Sequence, residues 1–487
     1  MFKALRVAFR ILVLGAISCR FAQAQMTPKP LQVSPGLEAL GSYLKGRTLT
    51  IDQAVRLCLV TNHALALARA YLLSAQGRTA EAYAALNPTV GGAIDVLRLN
   101  DSVSNKSLIV DDPHNFNKPI GAEIVNQNVQ QQLFSIGAQV PVDISGTLRV
   151  ATQQAKFQEI AYRTDVDRAR NQVVGEVKAA FYDALRAKAL QRVAEEDLKN
   201  TQDRLKDAQS KLQAQVVTKF DVLRAQTDVA AAQQNVIIAK NTAQTDLAVL
   251  NLVMGIQVTT PIQITEEGAM TQPSPLAVDA MQAEGNLGPE FDSDLQEALS
   301  KRPEIIEAMA AIEAAQKGIT LARRSLLPQM NLSWSYLYAP NAGGTTPLVH
   351  TWEGQAVVTV PFYDGGLARG RKMEAQGNLA AAQVDKRQAV DQVTLDAEQA
   401  YLSVNEARLR VDVANQTLTQ AQAAFDLARV RYTAGVSAHA GISPLLELSD
   451  AQSALTLAES NQVNALYDYN SAKARLDRAM GRYASQS

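Results

Sequence analysis

The sequence predicts a mainly α-helical chain with a small β part, in which one unit is used twice. Three observations carry this: long stretches nearly free of proline and glycine, four short segments of two-residue alternation, and internal self-similarity. The self-similarity falls into three gap-free runs. Residues 59–88 match 299–328 at an offset of 240, with Ala68/Ala308, Gln76/Gln316 and Pro88/Pro328 among the identities. Residues 140–216 match 360–436 at an offset of 220, with Pro141/Pro361, Gly146/Gly366 and Asp165/Asp385. A third run, at offset 226, pairs Ala225/Ala451, Gln226/Gln452, Met254/Met480 and Gly255/Gly481. A unit of roughly 200 residues is too long for a solenoid repeat and points to duplication of a whole substructure. Because the offset falls from 240 to 220 and then rises to 226, the first copy carries 20 extra residues between its first two blocks. The second copy carries 6 extra between its last two.

In chain order, residues 1–24 read as an export signal. Lys3, Arg6 and Arg10 form a basic start, Ile11 to Ile17 is a short apolar run, and Ala22-Gln23-Ala24 is a small-x-small cleavage site. Ala16-Ile17-Ser18-Cys19 offers a competing reading, acylation at Cys19, although the usual leucine is missing from its first position. Cleavage after residue 24 leaves Cys58 as a lone cysteine, so no intramolecular disulfide is expected. Cys58 is expected to be a small buried apolar residue. The first structural repeat is placed at 25–255, a linker at 256–290, the second repeat at 291–482 and a tail at 483–487.

Each copy opens with an expected helix, Ile51 to Leu86 and Leu295 to Leu327, closed by Pro88 and Pro328. Between Pro141 and Pro261 the chain holds three glycines and is rich in Ala, Gln, Leu and Lys. That composition predicts a long helix over Thr147 to Gln213, on the order of 100 Å at 1.5 Å per residue. A short turn at 214–218 forces the next helix, Asp221 to Val253, to run back beside it. The second copy repeats the pair as Gly370 to Thr433 and Pro444 to Met480.

Between opening and long helices lie two strand candidates per copy. In Gln329 to Tyr338, Met330, Leu332, Trp334, Tyr336 and Tyr338 alternate with Asn331, Ser333, Ser335 and Leu337. Phe134 to Val140, Thr89 to Leu99 and Trp352 to Val360 complete the set. These lengths are close to the ~9–11 residues of a tilted membrane strand, with an apolar face for lipid and a small polar face for a wet lumen. Trp334, Tyr336, Tyr338, Trp352 and Phe362 sit near strand ends, where interfacial aromatics belong. A barrel needs about eight strands, and lipid does not tolerate an open sheet edge. Membrane strands in this chain therefore require several chains to share one barrel.

The formal net charge of −1 gives no support to nucleic-acid binding. No catalytic constellation is visible. His63, His114, His350 and His439 fall in separate elements without ligand spacing, so no metal or cofactor is expected. Asp364-Gly365-Gly366 with Gly370 superficially resembles a phosphate loop, but no Lys-Ser/Thr pair follows. It is expected to be the turn from strand to helix.

Leu49-Thr50-Ile51-Asp52-Gln53-Ala54-Val55 with Leu57 and Asn62 resembles the opening helix of TolC-like outer membrane efflux proteins. Leu327-Pro328-Gln329, Val360-Pro361-Phe362, Asp364-Gly365-Gly366, Arg431-Tyr432 and Ala434-Gly435 are similar to that family's second-half signatures. The resemblance covers about 48–482. It implies a homotrimer with a shared twelve-stranded outer membrane barrel, four strands from each chain, and a periplasmic tunnel of long antiparallel coiled coils. It further implies a passive exit duct, with no enzyme activity, opened by a periplasmic adaptor and an inner-membrane pump. Carried over by position, it makes Asp221, Glu447 and Asp450 candidates for a ring of carboxylates at the tunnel aperture. Such a ring would favour cations. The competing reading of these three is ordinary helix N-terminal acids stabilised by the helix dipole. Tyr432, Arg429 and Arg431 become candidate partners that hold the aperture shut. Ala214, Gln215 and Val216, with Ala434, Gly435 and Val436, become the tips that meet the adaptor. Gln215 stands where glycine is common. A periplasmic coiled-coil scaffold is the alternative from another class. It suits the alanine-rich helices but not the alternating strands.

Overall fold

The computed structural model describes residues 48–98, 104–105, 125–126, 130–215, 217–266, 288–338, 350–436 and 443–484. The expected signal 1–24, Cys19, His114, His439, Val216 and residues 485–487 lie outside the described residues. In chain order the elements are β1 Thr48–Leu49, α1 Ile51–Thr61, α2 His63–Ala84, β2 Thr89–Arg98, β3 Ser104–Asn105, β4 Val125–Asn126, β5 Gln130–Val142, α3 Thr147–Gln213 and α4 Lys219–Met254. They continue with β6 Gln263–Ile264, α5 Gly288–Lys301, α6 Pro303–Arg324, β7 Gln329–Tyr338, β8 His350–Thr359, α7 Leu367–Ala434 and α8 Pro444–Ala479. The long helices have 67 and 68 residues, and both returning helices have 36.

The chain divides into two compact units. One holds residues up to Leu73 with 163–305 and 389–487, and the other holds 74–162 and 306–388.

The second unit contains an antiparallel sheet in the order β2-β5-β7-β8. Its register puts Ile94 beside Phe134, Phe134 beside Tyr338, and Tyr336 beside Trp352. With a period of two, Val90, Ile94, Ile136, Leu332, Trp334 and Val358 therefore share one face. Ser135, Gln139, Asn331, Ser333, Glu353 and Gln355 share the other. The apolar face is bare: Val90 is 68 %, Ile94 70 % and Trp352 68 % exposed. Phe362 and Tyr363, just past β8, are also exposed. β2 and β8 each pair on one side only, so the sheet has two open edges among the described residues.

Two carboxylates turn strand into helix. Asp143 accepts from Leu148 N and Arg149 N at 3.1 and 3.0 Å, and Asp364 accepts from Gly366 N and Ala368 N at 2.9 and 2.6 Å. Gly365 and Gly366 take φ of 66° and 92°. The Asp364-Gly365-Gly366 segment is thus a turn whose own carboxylate fills the amide nest at the start of α7.

The core of the first unit forms where α1, α3, α4 and α8 meet the β1–β6 pair. Val173, Val177, Phe181, Ala184 and Leu185 recur at helical spacing on α3 and bury against Ile51, Ala54, Cys58, Leu250 and Met254. Burial pushes the Cys58 thiol up to about 12, in keeping with its inert apolar role.

The opening helices depart from the sequence expectation. Ile51 to Leu86 is not one helix but two, broken at Asn62, whose φ and ψ are −65° and 131°. The Asn62 side chain accepts from Ala64 N and Leu65 N at 2.8 and 3.2 Å, starting α2 as an N-cap. The second opening helix begins earlier than expected, at Gly288 inside the proposed linker, and breaks at Arg302 before Pro303. Both break residues reach the end of a returning helix. Asn62 Nδ2 donates to Val253 O at 2.8 Å, and Arg302 Nη1 donates to Ala479 O at 3.3 Å. Asn62 and Arg302 stand 240 residues apart, and Val253 and Ala479 stand 226 apart, the offsets of the sequence runs. The linker is also pinned. β6 pairs in parallel with β1, Lys188 Nζ donates to Ile264 O at 3.1 Å, and Tyr467 Oη donates to Glu266 at 3.0 Å.

Candidate functional site

The turns joining α3 to α4 and α7 to α8 both lie in the first unit, and they bring most of the sequence-derived candidates together. The local chemistry begins with how each helix stops. Gln215, at φ 60°, and Gly435, at φ 71°, occupy the left-handed position that ends α3 and α7. After Gly435 the Val436 N–H returns to Arg431 O at 3.1 Å, closing the helix end. Glycine takes this conformation freely, whereas glutamine is strained in it.

Helix α4 then starts with a capping box. Asp221 N donates to Thr218 Oγ1 at 3.3 Å, and Thr218 N donates back to Asp221 Oδ2 at 2.9 Å. The Thr218 hydroxyl adds a 2.7 Å bond to the same oxygen. Asp221 is only 8 % exposed. Burial works to raise its pKa, but the Thr218 hydroxyl and amide, the Ser443 hydroxyl and the Arg224 charge outweigh it and hold the carboxyl below its ordinary value. Helix α8 starts at Ser443, whose Oγ accepts from Leu445 N at 3.3 Å, with Pro444 in the first turn.

Behind the caps, Ala208, Val222, Ala428, Tyr432, Leu445 and Leu448 form a small apolar core. Polar fasteners cross it. Tyr432 Oη donates to Asp207 Oδ2 at 2.6 Å, and Lys211 Nζ lies 3.5 Å from the centre of the Tyr432 ring and 3.2 Å from Asp207. Burial, then the bond to Asp207, pushes the Tyr432 phenol well above its usual range. Arg431 pairs with Glu447. Arg224 lies 3.8 Å from Asp450, whose side chain is 70 % exposed. Ser449 Oγ donates to Asp228 Oδ2 at 2.9 Å, and Thr456 Oγ1 donates to Asp197 Oδ1 at 3.0 Å.

Of the six aperture candidates, five are therefore engaged. Asp221 caps α4, Glu447 pairs with Arg431, Asp450 faces Arg224, and Tyr432 grips Asp207. Arg429 is exposed and has no ion pair among the described residues. Ala214, Gln215, Ala434, Gly435 and Val436 are exposed at the turns. Asp207, Lys211 and Arg224 were not reached from sequence. Tyr432 and Asp207 are separated by 225 residues, and nothing in a single chain's pattern pairs them.

The model of the family described as "Outer membrane efflux protein" matches this chain over residues 54–256 and again over 295–482. Among curated proteins, the chain is 24 % identical over 436 residues to the pyoverdine export outer membrane protein OpmQ of Pseudomonas aeruginosa, covering 88 % of this chain and 85 % of that one. It is 25 % identical over 357 residues to the toluene efflux pump outer membrane protein TtgC of Pseudomonas putida, covering 70 % and 66 %. Among solved structures, the CmeC outer membrane channel of Campylobacter jejuni is similar with a TM-score of 0.69 at 17 % identity, over 90 % of this chain and 87 % of that one.

Proposed function

This chain belongs to the outer membrane efflux protein family, and we propose that three copies close one barrel and stack their long helices into a duct that a pump opens from the periplasm. Its place is the outer membrane, and its work is efflux. The observation that carries the trimer is the sheet with one bare apolar face and two open edges at β2 and β8. In lipid such edges must find partners, and four strands are too few to close on themselves. Three chains give the twelve strands that the resemblance implies. A soluble coiled-coil scaffold would leave Val90, Ile94 and Trp352 in water without reason.

The duct performs no reaction. It takes an export signal over 1–24, lipid around its sheet, a periplasmic adaptor at the turns 214–216 and 434–436, and an inner-membrane transporter behind the adaptor. The two repeats, 25–255 and 291–482, supply one helical hairpin each. Relatives of comparable identity carry names for pyoverdine and toluene, which are chemically unlike, so cargo is chosen by the pump.

The aperture is held shut by Tyr432–Asp207 and Arg431–Glu447. Asp450 presents its charge to ions, and Asp221 and Glu447 add to the acidic field from their capped and paired positions. A charge-assisted hydrogen bond contributes about 1.5–3 kcal/mol, so Tyr432→Phe with Arg431→Ser, which removes two, should raise resting single-channel conductance by about tenfold or more. Asp450→Ala should lessen cation preference. A heat-dissociable trimer in the outer membrane fraction is expected. A soluble monomer released by osmotic shock would refute the reading.

A further inference from the structure

Just behind the caps, α3, α4 and α8 frame a small, partly open cavity. Thr201 and Arg204 line it from α3, Arg224 and Asp228 from α4, and Leu445 and Ser449 from α8. It offers about 10 Å³ to the centre of a water-sized sphere, the room one water needs. Into this space comes an unmet demand. Arg204 Nε and Nη1 are buried and meet no acceptor among the described residues. Burial disfavours the charge on Arg204, and Asp228 and Asp197 act against that effect. A guanidinium keeps its proton in a protein, so its N–H groups must be answered by an acceptor. The neighbouring hydroxyls keep free lone pairs, since Thr201 donates to Leu198 O and Ser449 to Asp228, both at 2.9 Å, but neither oxygen lies in hydrogen-bond geometry to Arg204 Nε or Nη1. The lining carries guanidinium groups and a carboxylate together, so a lone anion would be repelled by Asp228 and a lone cation by Arg204 and Arg224. The occupant must accept from a cation, donate to a carboxylate and be the size of one water.

We propose that a single water fills this cavity, accepting from Arg204 and donating to Asp228, and that Arg204 is a positioning residue for the aperture. The chain Arg204–water–Asp228–Ser449 fastens α4 and α8 to α3. Asp221 lies two turns before Asp228 on α4, and Asp450 follows Ser449 directly on α8. The aperture carboxylates thus sit on helix starts whose seating this chain sets. The current-based part of the test rests on the duct reading, and the crystallographic part does not.

The test uses the intact protein and the variants Arg204→Met, Asp228→Asn, their double, and Ser449→Ala. A high-resolution crystal structure should show one water bonded to Arg204 and Asp228, absent from Arg204→Met. In planar bilayers, Arg204→Met and Asp228→Asn should each raise resting conductance about tenfold, with no further rise in the double. That ratio corresponds to a coupling of about 1.4 kcal/mol. Each single should lower the melting temperature by a few degrees and the double by no more than either, because all three variants break one chain; the conductance rise, read well below melting, is what a purely structural role would not produce. An empty cavity, a side chain filling it, or a double variant equal to the product of the singles would overturn the proposal. If Arg204→Met does not fold, Asp228→Asn and Ser449→Ala decide the coupling. If the wild type itself passes no current, the duct reading fails and the crystal density still judges the water.

Discussion

The two helix-end glycines, Gly255 and Gly481, invite a direct comparison. They correspond in the internal repeat and adopt nearly the same backbone, with φ of 72° and 71°. Alanine in that left-handed region costs roughly 1–2 kcal/mol at either site. The surroundings then separate them. A Cβ on Gly255 would lie 2.5 Å from Thr61 O, 2.9 Å from its carbonyl carbon and 3.0 Å from Asn62 Cα. All three are backbone atoms at the end of α1, and α1 is fixed there by Asn62 Nδ2 on Val253 O and by Thr61 Oγ1 on Met254 O. Nothing flexible can yield, so the helix end itself must move, at an overpacking cost of about 1–3 kcal/mol more. A Cβ on Gly481 would come no nearer than 3.4 Å to Lys301, which is ordinary contact. Gly255→Ala should therefore cost about 2–5 kcal/mol and Gly481→Ala about 1–2 kcal/mol. Thermal melting of the detergent-extracted oligomer is the assay, with recovery of folded protein as a second readout. Gly255→Ala should melt several degrees below Gly481→Ala. Equal melting of the two variants would refute the argument, since it would mean that the Thr61 carbonyl gives way freely.

Two further outcomes are expected. Gln215→Gly relieves a left-handed glutamine and should raise stability by about 1 kcal/mol, seen as a higher melting temperature; a loss would mean that the Gln215 side chain contributes more than its backbone strain costs. Glu297, bonded to Arg482 at 2.9 Å and Lys301 at 2.8 Å, has its carboxyl pulled from 4.5 down to about 2 by those two partners, Arg482 first. A folded-state pKa below the unfolded one gives stability that is complete above the ordinary value and is lost as pH falls towards about 2. Glu297→Gln should thus melt lower than wild type near neutral pH, and the gap should close in acid. A gap independent of pH would show that the charge plays no part.

Much of the fold was legible because its largest elements have simple causes. Helices of 67 and 68 residues follow from long runs without proline, closed by Gln215 and by Gly435. The sheet followed from strict alternation, and its register keeps Met330, Leu332, Trp334 and Tyr336 on one face as the pattern requires. The breaks in the opening helices were less legible for different reasons. Pro303 was a visible signal, since the residue before proline is turned away from the helical region. Asn62 carried a local signal too, as a favoured N-cap residue, but its bond to Val253, 191 residues away, left no trace in the local pattern. The candidate site at the helix turns shows the same division. Helix starts and their acids could be placed from local sequence, whereas the partners Asp207, Arg224 and Arg204 come from packing between helices that no local pattern encodes.

The two copies also differ in how they hold their junctions and turns. At the helix junctions, the first copy uses the neutral Asn62, and the second uses Arg302 bonded to Glu304 at 3.0 Å and Asp396 at 3.1 Å. At the turns, the first copy closes with the Thr218–Asp221 capping box, and the second adds the Arg431–Glu447 pair. The first copy's turn is charged as well, since Lys211, the counterpart of Arg431, lies 3.2 Å from Asp207; the charge that only the second copy carries is at the junction, on Arg302. The consequence depends on exposure. The Arg302 side chain is 8 % exposed and its pairs are shielded from salt, whereas Arg431 is 36 % exposed and its pair is open to screening. Rising ionic strength should therefore weaken the Arg431–Glu447 pair before the Arg302 pairs, a difference that melting at low and high salt of Glu447→Gln and Asp396→Asn would read.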